Sequence, residues 1–127
     1  MTGRVLTTPR ESAALLVPLL QHEPSEVFAV LFLGTRHHVL AYHEVGRGTL
    51  DTVLVTPREV FKAAILANAA AVILAHSHPS GDPTPTPDDI ALTRRLAAAG
   101  SLLGIEVLDH LIVADERYVS LRELGWC

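Results

Sequence analysis

The residues best suited to chemistry are His76 and His78, which follow the apolar run Ala71–Ala75. That run reads as a buried strand. Positions i and i+2 of an extended segment face the same side, so both imidazoles can meet one ion where the strand ends. Strand ends in α/β folds are common ligand sites. Residues 79–87 then carry four prolines and one glycine, a stiff loop that delivers Asp88 and Asp89 to the first turn of a helix. Two histidines and a carboxylate are a common ligand set for catalytic zinc, which keeps a fourth position for water. The ion lowers that water's pKa to about 7 and so supplies a nucleophile at neutral pH. Each part has a plain alternative. An isolated His-x-His recurs by chance, acids suit the positive end of any helix, and a proline-rich loop can be rigid for stability alone. The combination is what points to a metal. The run does not continue as His-x-His-x-Asp-His, because Pro79, Ser80 and Gly81 follow His78. This argues against a dinuclear lactamase-type centre.

Other polar residues read more simply. His22, His37 and His38 fall at turns or helix ends and read as solvated. Ser80 suits a loop-shaping role through hydrogen bonds to backbone, since no base is placed near it to make a nucleophile. Asp109-His110 lies in an apolar strand. It reads first as a satisfied core pair and second as a partner for a ligand histidine.

The frame that must position these groups is small. The chain has 127 residues, about one domain's worth. Apolar residues make up 49% and charged residues 19%, with a mean hydropathy of +0.32, which excludes a disordered chain. The longest uncharged apolar runs, Val27–Leu33 and Ala69–Ala75, fall far short of the roughly 20 residues of a membrane helix. The N-terminus shows no apolar signal region, so a cytoplasmic location is expected. The single cysteine, Cys127, excludes an intrachain disulfide and a cysteine zinc cluster, so any zinc must be held by nitrogen and oxygen. The net charge is −4, the pI is near 5.9, and the arginines are scattered. Direct nucleic-acid binding is therefore not expected, because phosphate neutralisation needs a basic surplus or stripe.

Three segments, Thr8-Pro9-Arg10-Glu11, Thr56-Pro57-Arg58-Glu59 and Thr86-Pro87-Asp88-Asp89, share the pattern of a helix start. Threonine caps, proline takes the first position, and an acid follows three residues after the cap. They predict helices over about 9–22, 57–68 and 87–100, the first kinked or shortened by Pro18 and the last ending at Gly100. Strands are predicted at Glu26–Leu33, His38–Val45, Thr52–Val55, Ala71–Ala75, Gly104–Ala114 and Tyr118–Leu121. The order predicts one α/β domain over residues 1–127, a mixed sheet flanked by helices in a three-layer-like sandwich.

At this level of detail the chain resembles a family. His76-Ser77-His78-Pro79, Thr86 and Asp89 are similar to the JAMM motif of MPN-domain metalloproteases, including the ten residues between His78 and Asp89. Thr56–Phe61, Ala70–Leu74, His76–Pro85, Asp89-Ile90 and Leu108–His110 resemble the RadC family, and the likeness runs from about Thr8 to Leu121. The resemblance implies an MPN (cytidine-deaminase-like) fold and one zinc ion on His76, His78 and Asp89. It also implies hydrolysis of an amide or isopeptide bond by activated water. Glu26, before Val27–Leu33 and Gly34, best matches the family's upstream glutamate, the general base; Glu23 and Glu44 are the weaker matches. Thr86 stands where the family has the serine that positions the scissile carbonyl oxygen. Threonine keeps the hydroxyl but adds a methyl group and doubles as a helix cap. Ser77 stands where the family more often has asparagine, on the side away from the ligands. The resemblance leads to the expectation of a catalytic-type domain alone, without the helix-hairpin-helix region that precedes it in longer RadC proteins. The alternatives are a non-catalytic MPN-like binding or scaffold module and an accessory role in DNA repair. A protein or peptide substrate is expected, and the apolar strand edges offer a route to a homo-oligomer.

Overall fold

Each of the three predicted helix starts begins a helix in the computed structural model, which describes residues 1–48 and 55–127. The helices are α1 (Pro9–Leu20), α2 (Pro57–Leu66) and α3 (Pro87–Leu103). Thr8, Thr56 and Thr86 are extended, and each side chain accepts from the amide three residues on. Proline follows each cap, where its missing N–H costs nothing. α1 contains Pro18 in its last turn and stops two residues later, short of the expected end at 22.

α3 passes its expected end at Gly100 and stops at Leu103, with Gly104 left-handed at φ 73° as its C-cap. Gly100 is there for close approach instead. A Cβ on it would run into the Ile105 carbonyl oxygen and lie 3.1 Å from Phe61 Cζ.

The strands are β1 (Val27–Leu33), β2 (Val39–Arg47), β3 (Ala71–Ser77), β4 (Glu106–Ala114) and β5 (Arg117–Ser120). The expected strand at Thr52–Val55 lies, apart from Val55, outside the described residues. The sheet order is β2-β1-β3-β4-β5. β1 is antiparallel to both β2 and β3, β3 is parallel to β4 through the α3 crossover, and β4 is antiparallel to β5. The sheet is therefore mixed, as predicted.

β1 and β3 are buried at every position because both faces of the sheet are covered. On one face Val27, Leu31, Ile73 and Leu111 pack with Leu16 and Leu20 of α1. On the other, Phe28, Val30 and Leu74 pack with Val60 and Phe61 of α2 and with Leu96 of α3. These are the three layers. No helix among the described residues is long and apolar enough to cross a membrane.

This topology positions the chemistry. Because β1 and β3 are antiparallel, the start of β1 lies beside the end of β3. The register pairs Phe28 with His76, so two residues further along Glu26 comes alongside His78. The loop after β3 returns to start α3 at the same end of the sheet.

Candidate metal centre

His76, His78 and Asp89 come together, buried, with one potential ligand atom from each within 4.8 Å of the others. His76 Nδ1 lies 3.2 Å from Asp89 Oδ1, and His78 Nε2 lies 3.1 Å from Asp89 Oδ2. Asp88, the other acid considered from the sequence, is exposed. The hydrogen bonds of α3's cap explain why the neighbour was chosen. Asp89 is the third helical residue, where its carboxylate accepts the Thr86 amide at 2.9 Å while its own amide donates to Thr86 Oγ1 at 3.1 Å. This reciprocal box fixes the carboxylate at the positive end of the helix.

The donor set suits a divalent cation. His78 Nδ1 is 2.9 Å from the Asp82 carbonyl oxygen, so Nδ1–H donates there; Nε2 is 3.1 Å from Asp89, where it carries the proton of that hydrogen bond in the metal-free site and would offer its lone pair to an ion that displaces the proton. Among the described residues, both ring nitrogens of His76 are buried without a hydrogen-bond partner. Burying unmatched polar atoms is costly, and a cation beside Nδ1 would supply the missing interaction. The cluster can therefore hold a metal ion through two imidazole nitrogens and one carboxylate oxygen. Burial alone would raise the Asp89 carboxyl pKa, but the close approach of His76, the hydrogen bond with His78 and that from the Thr86 amide outweigh it and hold the group well below the usual carboxylate range. The Asp89 hydrogen bond raises His78 against the opposing effect of burial.

The loop between β3 and α3 is built as the sequence suggested. Ser80 Oγ accepts from the Asp82 amide at 3.4 Å, and Asp82 Oδ1 accepts from the Thr84 amide at 3.0 Å and from its hydroxyl at 2.7 Å. These turns bring the Asp82 carbonyl under His78. That role is a backbone one, so no side-chain pattern could have announced it.

Glu26 is half-buried at the start of β1, and its charge contributes to raising the His78 pKa. The weaker candidates are engaged elsewhere. Arg47 binds Glu23 at 2.7 Å and Glu44 at 2.6 Å in an exposed cluster at the β2 end. Ser77 faces away from the ligands, as alternation requires. Its hydroxyl accepts the Val27 amide at 2.9 Å and donates to the Ser25 carbonyl at 3.2 Å.

Asp109 and His110 are not a pair with each other's side chains, because successive strand residues face opposite sides. The Asp109 carboxylate accepts from Ser120 Oγ at 2.8 and 3.0 Å, from the His110 amide at 2.7 Å and from the Arg122 amide at 3.1 Å. It ties β4 to β5 and the C-terminal turn. The His110 ring lies on the other face, 6.0 Å between centroids from His76. Its Nδ1 is 2.5 Å from Thr93 Oγ1, and the Thr93 hydroxyl donates to the Asp89 carbonyl at 2.7 Å. Burial drives the His110 pKa down to about 3, so the ring is neutral. Thr93 is the residue that sequence reasoning missed. Its position four residues after Asp89, on the same helical face, was the available signal.

His22 is exposed, as expected, whereas His37 and His38 are half-buried. The reason is the β1–β2 turn, where His37 is left-handed at φ 60° and the His38 ring folds over Gly34.

Comparison with known proteins places the chain among relatives. A RadC-like JAB domain profile matches residues 6–126. The chain is 49% identical over 121 residues to a UPF0758 protein of Desulfitobacterium hafniense, covering 95% of this chain and 53% of that one. It is 51% identical over 123 residues to a UPF0758 protein of Moorella thermoacetica, covering 97% and 54%. A UPF0758 protein of Methanosarcina acetivorans is 44% identical over 123 residues, again covering 97% and 54%. The chain thus spans about half the length of these relatives. With a mixed five-stranded sheet and three helices among the described residues, and a profile match over nearly its whole length, the chain belongs to the RadC-like JAB domain family.

Proposed function

We propose that this domain is a zinc-dependent hydrolase of JAMM type that cleaves an amide or isopeptide bond in a protein or peptide substrate. The observation that carries the reading is the convergence of buried His76, His78 and Asp89 beside Glu26. The donor set fits zinc, which when bound would polarise a substrate carbonyl and lower the pKa of a water. His78 would offer Nε2, because its Nδ1–H is committed to Asp82. Glu26 acts as general base. Its carboxylate takes a proton from the attacking water and passes it to the departing amine nitrogen as the C–N bond breaks and the C–O bond forms. Thr86 is exposed, and its oxygen already accepts from the Asp89 amide. Acceptance uses a lone pair and leaves the O–H to donate to the scissile carbonyl oxygen.

The same capping bond supports a second reading, a binding module whose cluster holds a metal for structure and whose Thr86 serves only the helix. The two readings separate in a screen of zinc-loaded protein against peptide and isopeptide substrates. In the hydrolase, Glu26→Gln removes turnover while retaining the metal, and Glu23→Gln and Glu44→Gln do not. In the module, no substrate is cleaved and Glu26→Gln is silent. The third reading, a DNA-repair accessory, gains no support from the net charge of −4. Tight DNA binding with a steep salt dependence would restore it.

A further inference from the structure

We infer that Ser77 is a positioning residue for Glu26, setting the base against the metal site without touching a ligand; the inference rests on the reading of Glu26 given above. Strand alternation sends His76 and His78 to the α3 face of the sheet and Ser77 to the α1 face. There its hydroxyl makes two hydrogen bonds to two residues. It accepts the buried Val27 amide at 2.9 Å and donates to the Ser25 carbonyl at 3.2 Å.

Those residues flank Glu26 on either side, so one hydroxyl grips the chain both before and after it. The grip falls where the β1–β3 ladder runs out, since the last backbone pair at that end is Phe28 with His76. A side chain thus takes over the role that ladder bonds play further along. A backbone tether at this point is the Gly48 amide, which donates to the Glu26 carbonyl at 2.8 Å. Gly48 belongs to neither β1 nor β3 and so does not set Glu26 relative to the histidines.

The consequence is a division of labour within three consecutive residues. His76 and His78 offer nitrogen donors on one face, and Ser77 fixes the base to the same strand from the other. Displacing the ligands would move the tether, and removing the tether would leave the ligands in place. Ser77 is 2% exposed, so the hydroxyl meets little competition from solvent.

The test is a double-mutant cycle on zinc affinity, measured on the full chain at pH 7 by competition with a chromophoric chelator. Removing a group that supports a metal site typically weakens affinity by about 10- to 100-fold, so Glu26→Gln is expected to weaken zinc by about tenfold. Ser77→Ala is expected to weaken it by about three- to tenfold in the native background and by less than about twofold in Glu26→Gln, because its effect passes through the glutamate. Ser77→Thr, which keeps the hydroxyl, restores affinity. The near-isosteric Ser77→Val does not, and the Thr and Val pair carries the comparison if the alanine variant fails to fold. Faster hydrogen exchange at the Val27 amide accompanies the loss. If Ser77→Ala is silent while Glu26→Gln weakens zinc, the inference is wrong and the Glu26 reading stands. If Ser77→Ala costs the same in both backgrounds, it acts on the histidines and the inference is wrong. If Glu26→Gln is silent on zinc affinity while His76→Ala abolishes binding, the inference is wrong, and the general-base reading is decided separately by whether Glu26→Gln removes turnover.

Discussion

Replacing Asp109 by alanine should cost much stability and no metal affinity. The carboxylate is 4% exposed and accepts hydrogen bonds from Ser120 Oγ, the His110 amide and the Arg122 amide. Hydrogen bonds to a charged group contribute about 1.5–3 kcal/mol each, and a buried donor left without a partner costs about 1–3 kcal/mol. The His110 amide and the Ser120 hydroxyl are stranded most deeply, and the Arg122 amide can recover water. The expected loss is therefore about 3–5 kcal/mol, a large share of the roughly 5–15 kcal/mol available to a domain. Urea unfolding followed by circular dichroism reads it directly, as a fall in midpoint at unchanged slope. The carboxylate serves the α1 side and the β5 connection, so zinc affinity of the folded variant should stay within about twofold. A loss below about 1 kcal/mol would show that these bonds are not holding β5, and a loss of zinc binding at full folding would place Asp109 in the site's support instead.

Acid should destabilise the metal-free domain through His110. The folded state keeps its pKa near 3, so between about 6.5 and 3 the unfolded chain binds a proton that the folded one refuses, and stability falls as pH drops through that window. His110→Gln should flatten this part of a stability–pH curve, and an unchanged slope would contradict it. Gly100→Ala should destabilise by about 1–3 kcal/mol in thermal or urea melts, although glycine to alanine in a free helix interior gains about 0.5–1 kcal/mol. Its Cβ would meet the Ile105 carbonyl and the Phe61 ring, so a neutral or stabilised variant would mean that the turn from α3 into β4 can yield. Glu23→Gln and Glu44→Gln should leave zinc affinity unaltered, because both side chains serve Arg47 on the surface, and a loss comparable to that of Glu26→Gln would refute the assignment of the base.

Much of this arrangement was readable from residue order, for local reasons. The caps at Thr8, Thr56 and Thr86 involve groups three residues apart, so their logic is complete within a few positions. The shared face of His76 and His78 follows from strand alternation alone. Gly100 misled because glycine both ends helices and admits close neighbours, and only tertiary contact tells the two uses apart. The partners of Glu23, Glu44 and Ser77 depend on which strands pair and in which register, and one residue of slip would exchange the faces. For the same reason Asp109 and His110 looked like a pair, although the sheet separates their side chains. Asp82 acts through its carbonyl oxygen, which carries no residue-type signal at all.

The central claim is that His76, His78 and Asp89 together hold one ion. Elemental analysis of purified chain dialysed against zinc at pH 7 tests it most directly. The account predicts about one zinc per chain in the native protein and none retained in His76→Ala, with His78→Ala and Asp89→Ala behaving alike. A native chain that retains no zinc, or a His76→Ala chain that retains as much as the native one, would contradict it.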